Sequence, residues 1–474
     1  MAGLFSQDLK MEDTTGVDYP EGQLITEGDE GESVAAAIME VTEEEAGVAE
    51  DERAMDQLVE DGEAASEIGE VLTNEVPKTE HSGLTPSNAR LAKLVMGRIL
   101  GNNYVERKFP KFEHFNSRSD ARDNTSFVTE SIKDALKSFW ETLKAQFKKI
   151  WAKMKSWYVK TFSAAKKLNA KAVSVRDRAE GMSSTIDKKN FQFSQVKVLS
   201  LQGKLKSPSE FETALKRVAD IIEATHKAPT DSMIDKIEDA VDGFKKELAG
   251  PTASGGSASS SNEWAKLDFI ASEFGDRYGS LLKGTAQDID PSEKKLIESL
   301  GGGDNGTVDL KSSEILPGDK MFVVAIGKGN SGDDLQVMRS TRAKIANTKF
   351  KPKEISADAE AMTLNTSQIA SLCNIIVDST ADIYDYEQKW QKVDRQQETY
   401  LRKVDELVRD IEDGVKDAEA DDESKQLSKL RTFASTTTNF IKATSNIPNI
   451  ASSYAMGVYA ATLNWCEGSM RNYK

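Results

Sequence analysis

FWETLKAQFKKIWAKMKSWYVKTFSAAKKL, residues 139–168, decides how this chain is read. Around it, Leu136, Trp140, Leu143, Phe147, Ile150, Trp151, Met154, Trp157, Tyr158 and Phe162 recur at steps of three and four. That spacing draws one apolar stripe down a helix. Lys144, Lys148, Lys149, Lys153, Lys155 and Lys160 fill much of the remaining surface. Between Ser131 and Ala172 there are eleven lysines against Asp134 and Glu141, a net +9, and three of the six tryptophans fall in the same window. The pattern predicts a long basic amphipathic helix over about 127–180. Three uses fit it: first a core-facing helix with a solvated lysine face, then a helix docked on nucleic acid or an acidic partner, or a helix lying on a membrane surface.

Such a helix is unexpected in a chain of 474 residues with formal charge −16, and the charge map resolves the mismatch. Residues 1–75 hold 23 acidic and two basic residues, Lys10 and Arg53. The remainder is net +5, so the acidity belongs to the first 75 residues. High charge with few aromatics predicts disorder or a transient helix there. The segment is either a solubilising tail or an acidic arm that screens basic surface elsewhere.

Beyond the basic helix the pattern stays helical. SPSEFETALKRVADIIEATHK (207–227) and TDSMIDKIEDAVDGFKKELAG (230–250) carry capping residues and apolar spacing, and predict a helical hairpin. PTASGGSASSSNE (251–263) is a small-residue linker. In 301–356, Met321 to Ile326 is a β-type run among turn signals, which predicts a small antiparallel sheet. GKGNSG (327–332) formally matches a dinucleotide-binding pattern. It is followed by DDLQVMRSTR, acidic where pyrophosphate would sit and alternating like a second strand, so a hairpin loop is the reading. From Ile383 to Val415, apolar residues in three/four steps, broken at Gln397, describe a seam of coiled-coil type. Residues 423–444 and 449–474 read as two closing helices, the last the most apolar stretch of the chain.

The fold class expected is mainly α: an elongated helical bundle with a long basic amphipathic helix and a small antiparallel β insertion, preceded by a disordered acidic leader. Its divisions are an acidic low-complexity leader (1–85, read as a pro-region), a short helix and exposed loop (86–126), the basic helix and helical hairpin (127–250), a linker and helix (251–300), a small β-rich subdomain (301–356) and a C-terminal helical bundle or coiled coil (357–474). No stretch approaches the roughly 18–20 apolar residues of a membrane span. Cys373 and Cys466 lie outside any metal spacing and read as buried free thiols, and the only histidines are His81, His114 and His226. None of the nucleophile, zinc-protease or phosphate-loop motifs occurs. No catalytic, cofactor or metal residue is therefore assigned, and an enzyme is not expected.

KFEHFNSRSDARDNTSFVTESIKDALKSFWETLKAQFKKIWAKMKSW (111–157) runs from a Glu-aromatic segment through a polar Ser/Asp/Thr loop into the Trp- and Lys-rich helix. In this stretch, in its Glu/Ala-rich leader and in the order of its later elements, the chain resembles the internal head proteins of large tailed bacteriophages, phiKZ-like and other giant myoviruses. The resemblance implies a non-enzymatic structural protein assembled in the host cytoplasm and packaged inside the capsid with the genome, with a role in ejection. It also implies partners: other capsid-core or scaffold proteins, packaged DNA bound without sequence preference, membrane contact during ejection, and a prohead protease that removes the leader after a small-x-Glu motif. The matching positions are Gly28-Asp29-Glu30 and Ala65-Ser66-Glu67. At Lys111-Phe112-Glu113, where the family would place the cut, Lys111 is not small. Glu30, Glu67 and Glu113 are the candidate cleavage residues. Loss of residues 1–113 would leave the protein at +1 and the basic helix unopposed by its leader.

Overall fold

The computed structural model describes residues 29–75, 118–183, 185–228, 230–249, 281–299, 308–327, 341–350, 359–414 and 420–474, with isolated positions between them. In chain order the elements are α1 (Asp29–Glu75), α2 (Arg118–Glu180), β1 (Asn190–Gln192), the single-turn α3 (Val196–Leu199), α4 (Pro208–Lys227), α5 (Thr230–Ala249), α6 (Pro291–Ser299), β2 (Val308–Ser312), β3 (Lys320–Gly327), β4 (Arg342–Asn347), β5 (Glu360–Met362), α7 (Thr366–Gly414) and α8 (Ala420–Met470). The fold is mainly helical with small antiparallel sheets, as the sequence predicts.

α2 is the organising element, packed on α7, α1 and α8. Its stripe from Trp140 to Phe162 is buried at every position named above that the structure describes in full, and continues through Ala165, Leu168, Ala172, Val175 and Ala179. α7 runs antiparallel to it: the Trp140 Nε1–H donates to Asp405 (2.9 Å), Trp151 Nε1–H to Asp394 (2.7 Å) and Asn169 Nδ2 to the Val377 carbonyl (2.8 Å). Trp390 of α7 lies between Trp151 (5.1 Å between ring centroids) and Tyr158 (3.8 Å), and Phe147 extends the stack. A buried aromatic side chain removes about 150–250 Å² from water, worth roughly 4–6 kcal/mol at 25 cal/mol per Å². A surface ion pair contributes about 0–1 kcal/mol. The aromatic seam, not the lysines flanking it, therefore holds α2 to α7.

α8 runs parallel to α2, with Trp157 reaching Ser453 and Lys171 reaching Glu467 further along both. Almost every residue of α8 from Phe433 to Met470 is buried, so it is the bundle's central helix. The two closing helices expected here are one, because Pro448 sits inside α8 without ending it. Proline removes a backbone N–H and loosens the turn before it. The Tyr158 hydroxyl of α2 donates to the Ser445 carbonyl in that turn (2.8 Å), and Thr161 donates to Asn449 (3.0 Å). These bonds tie both sides of Pro448 to α2, although the carbonyl that loses its helical donor is that of Thr444.

α4 begins with Ser207 and Pro208, and the Glu210 carboxylate accepts from the Ser207 N–H (3.3 Å) as a capping glutamate does. α4 and α5 both pack on α7, but not as the expected hairpin. Glu212 lies by Ser371, the His226 carbonyl by Lys389, Asp235 by Gln396, Asp242 by Lys403 and Lys245 by Asp410, so the two helices follow one another along α7 in its own direction. β2, β3 and β4 form an antiparallel meander, with Val308 opposite Gly327 and Ala325 opposite Arg342. Phe322, Val324 and Ile326 of β3 face the main core, while Met321, Val323 and Ala325 face a second small core with Ile289, Ile297 and Ala346. Burial on both faces explains the unbroken apolar run. The strand expected within 333–342 lies mostly outside the described residues; of those described, Met338 is helical and Arg342 opens β4. The linker 251–263 and the loop 328–332 lie outside the described residues. β1 pairs with β5 beside the end of α8, where a Cβ on Gly468 would come within 2.4 Å of the Phe191 ring. Glycine is required at that close approach.

Residues 1–28 of the leader lie outside the described residues. Its later part, read as disorder or a transient helix, is a helix from Asp29 to Glu75, packed against α2 and α8. Val34, Ile38, Val41, Val48, Met55 and Val59 are buried, and with Glu45 and Glu52 they complete a regular three/four seam. Two glutamates at seam positions interrupt the apolar pattern in the sequence, and packing on α2 and α8 supplies the burial that composition alone withholds.

Candidate functional site: an acidic helix over a basic face

α1 lies antiparallel to both α2 and α8, along the groove between them. Toward α2, Asp51 is buried and receives Lys149 (2.7 Å) and Lys153 (2.6 Å), and Lys153 also donates to the Gly47 carbonyl (3.1 Å). Glu44 receives Lys160 (2.8 Å) and Ser156 (3.1 Å). Burial pushes the Asp51 carboxyl up, but hydrogen bonds from Lys149 and Lys153 outweigh it and leave its pKa lowered. The Lys160 ammonium is held charged above its ordinary range by Glu44.

Toward α8 the seam is polar on both sides. Asp56 receives Lys442 (3.0 Å), whose side chain is only 2% exposed, and lies 3.6 Å from Arg342 of β4. Asn446 donates to Glu52 (3.2 Å), and Ser453 hydrogen-bonds Glu45. Asn439, Lys442, Asn446 and Ser453 are spaced three, four and seven along α8, one face of the helix. Glu45 is pushed up to about 7 by burial first, then by the neighbouring Glu52 charge, against the Ser453 hydrogen bond and the Lys320 charge. Glu52 is raised by burial, with Asp56 adding to it and Lys442 opposing. Burial also raises Asp56, but the Lys442 and Arg342 charges reverse that and leave it lowered.

The structure thus divides the candidate basic residues. Lys149, Lys153 and Lys160 meet α1, whereas Lys144 bonds Glu141 and Asp405 (both 3.0 Å) and Lys155 pairs with Asp394 (2.7 Å), both turned toward α7. Lys148 is exposed. The stripe residues Trp140, Phe147, Trp151 and Trp157 are buried and face α7 and α8. Of the candidate cleavage residues, Glu30 and Glu67 lie in α1, on either side of the packed positions Val34 to Val59, while Glu113 lies outside the described residues. Sequence reasoning did not find Lys442, Arg342, Glu52 or Asp56. The signal was present only as polar residues repeating at helical spacing on α8, which reads as surface until α1 is seen to cover it.

His226 is buried, with Nδ1 2.7 Å from the Ile222 carbonyl and Nε2 3.1 Å from Ser452, and burial lowers its pKa to about 4. Cys373 and Cys466 are free, buried and in contact between α7 and α8. Among the described residues no His/Cys/Asp/Glu group could hold a metal ion, and no helix is long and apolar enough to cross a membrane.

The arrangement places a strip of positive charge under a strip of negative charge. No curated protein and no solved structure matches the chain at a significant level. The model of one family, phiKZ-like phage internal head proteins, matches residues 32–467. That span takes in the docked part of α1 and every later element described above, and the chain belongs to the phiKZ-like phage internal head proteins, structural proteins of the virion interior.

Proposed function

We propose that this internal head protein is packaged with α1 docked as a mask, and that the prohead protease severs the acidic leader during maturation to expose the face beneath. The observation that carries this is that α1 supplies the carboxylates opposite Lys149, Lys153, Lys160 and Lys442. Cuts after Glu30 and Glu67 would excise the segment holding Val34 to Val59, and a cut after Glu113 would sever all of α1. Other capsid-core proteins are the partners the exposed face meets first, and ejection with the genome follows from its place inside the head. A membrane-surface role would need the tryptophans of α2 turned outward, and Trp140, Trp151 and Trp157 are instead bonded to α7 and α8.

Intact-mass and N-terminal peptide analysis of the protein taken from mature particles tests this. A new N-terminus after Glu30, Glu67 or Glu113 is the expected result. A chain that keeps residues 29–75 in the mature particle overturns it and makes α1 a permanent part of the bundle.

A further inference from the structure

The cations around α2 and α8 fall into two sets. Lys155 and Lys166 pair with α7, through Asp394 and Glu387, and Lys171 and Arg178 pair with Glu467 of α8. Lys149, Lys153, Lys160, Lys442 and Arg342 have their carboxylates, among the described residues, from α1: Asp51, Glu44 and Asp56. The second set is contiguous. From Lys149 to Lys160 it follows α2 for about 16 Å at 1.5 Å per residue, and Lys442 and Arg342 flank it across the groove.

The neutral groups in the same strip are also hydrogen-bonding ones. Ser156 of α2 and Asn439, Asn446 and Ser453 of α8 all bond carboxylates of α1. Lysine and arginine interleaved with asparagine and serine are the side chains that bind phosphate oxygens of a nucleic-acid backbone. The aromatic residues that would favour lipid are committed to the bundle interior: Trp151 to Asp394 and Trp390, Trp157 to Ser453. One strand of duplex DNA presents a phosphate per about 3.4 Å of axis, so a strip of this length passes about five of them.

We propose that the strip beneath α1 docks the phosphate backbone of double-stranded DNA, with α1 carboxylates now standing where phosphates would lie. The inference rests on the reading that α1 leaves its groove. Docking of α1 and of DNA are then mutually exclusive, and binding is independent of base sequence because the contacts are to phosphates, which carry no sequence information.

The test uses the full chain with α1 released rather than cut. Asp51→Asn/Asp56→Asn removes its ion pairs, and Val48→Asp/Met55→Asp spoils its apolar contacts without adding a cation. Release is read as rapid proteolysis within residues 34–59, and an unchanged near-ultraviolet signal of the buried tryptophans shows the bundle intact. The probe is a mixed-sequence duplex of about 30 base pairs at about 50 mM salt, where phosphate contacts are strongest. Whichever variant releases α1 should bind at least about tenfold tighter than the parent, and Lys149→Gln/Lys153→Gln/Lys160→Gln in that background should abolish the gain and flatten the salt dependence by about three in log–log slope. Lys166→Gln should leave it unchanged.

No gain on release, or a gain that survives loss of the three lysines, overturns the proposal. So does preferential binding to anionic phosphatidylglycerol vesicles, or dimerisation of the released chain, which would assign the groove to lipid or to a second copy's acidic helix. Failure of the two readings is separable. A released chain that binds DNA while mature particles retain α1 sinks the maturation reading alone, and a processed chain that ignores DNA sinks this one alone.

Discussion

Glu45 shows how far one residue can hide an element. It occupies a seam position of α1 where a leucine would have announced an amphipathic helix, and Glu52 does the same seven residues on. Both carboxyls are half-buried, and the cost is visible in their raised pKa values. Protonated Glu45 favours the docked helix, because its folded pKa of about 7 lies above the ordinary 4.5. That contribution is fully present below pH 4.5 and is lost as pH rises through 7. Asp51 and Asp56, with lowered values, act oppositely: their contribution is present above 3.8 and is lost as pH falls through their folded pKa values. α1 should therefore be held most firmly in mildly acidic solution. Proteolysis within residues 34–59 should quicken between about pH 5 and pH 7 in the parent and change less in Glu45→Gln, where Glu52 alone of the two remains, after correction for the protease's own pH dependence. Equal rates in parent and variant would remove Glu45 from the account.

At the scale of elements, legibility followed side-chain size. α2 was readable because tryptophan, phenylalanine and leucine at three/four steps leave no second interpretation of its period, and the seam of α7 from Ile383 to Leu407 was readable for the same reason. α4 and α5 were bounded by their caps and by the glycine after them. α8 was half readable: its apolar end announced a central helix, whereas the stretch 445–448, ending in Pro448, reads as a break between two helices. Propensity lost there to tertiary contacts. Ser and Thr side chains such as Thr437, Thr444 and Ser452 bond carbonyls one turn back, which lets a polar helix sit in a core. Tyr158 fixes α8 one turn before the proline, through the Ser445 carbonyl. Tyr158→Phe keeps the stack on Trp390 but leaves the Ser445 carbonyl without its buried donor, and should cost about 1–3 kcal/mol. Urea unfolding measures it, with Lys166→Gln, an exposed lysine paired to Glu387, as a comparison expected within about 0.5 kcal/mol.

Over the whole molecule, the seams differ in strength in a way the composition foreshadowed and the sequence order did not. α2, α7 and α8 meet through rings and long aliphatic chains, while α1 meets them through valine, alanine, isoleucine, methionine and carboxylates. Opening of a protein proceeds through its least apolar contacts first. Amide hydrogen exchange should accordingly find residues 34–59 opening well before Phe147 to Leu168 of α2, and simultaneous exchange of both would mean a single cooperative unit. The acidic leader was legible as a separate electrostatic body because its charge is concentrated in 75 residues. Its place in the groove was not, since that depends on Lys442 and Arg342, roughly 290–390 residues away in the chain.

The directions of the long helices carry one more consequence. α2 and α8 point the same way, and α1 and α7 oppose them. Each helix end carries roughly half an elementary charge, felt within its terminal turn. α4 and α5, end to end beside α7, share its direction. α1 therefore adds one more positive N-terminus at one end of the bundle and one more negative C-terminus at the other, so what it contributes as a dipole is felt at the two ends and not along the sides.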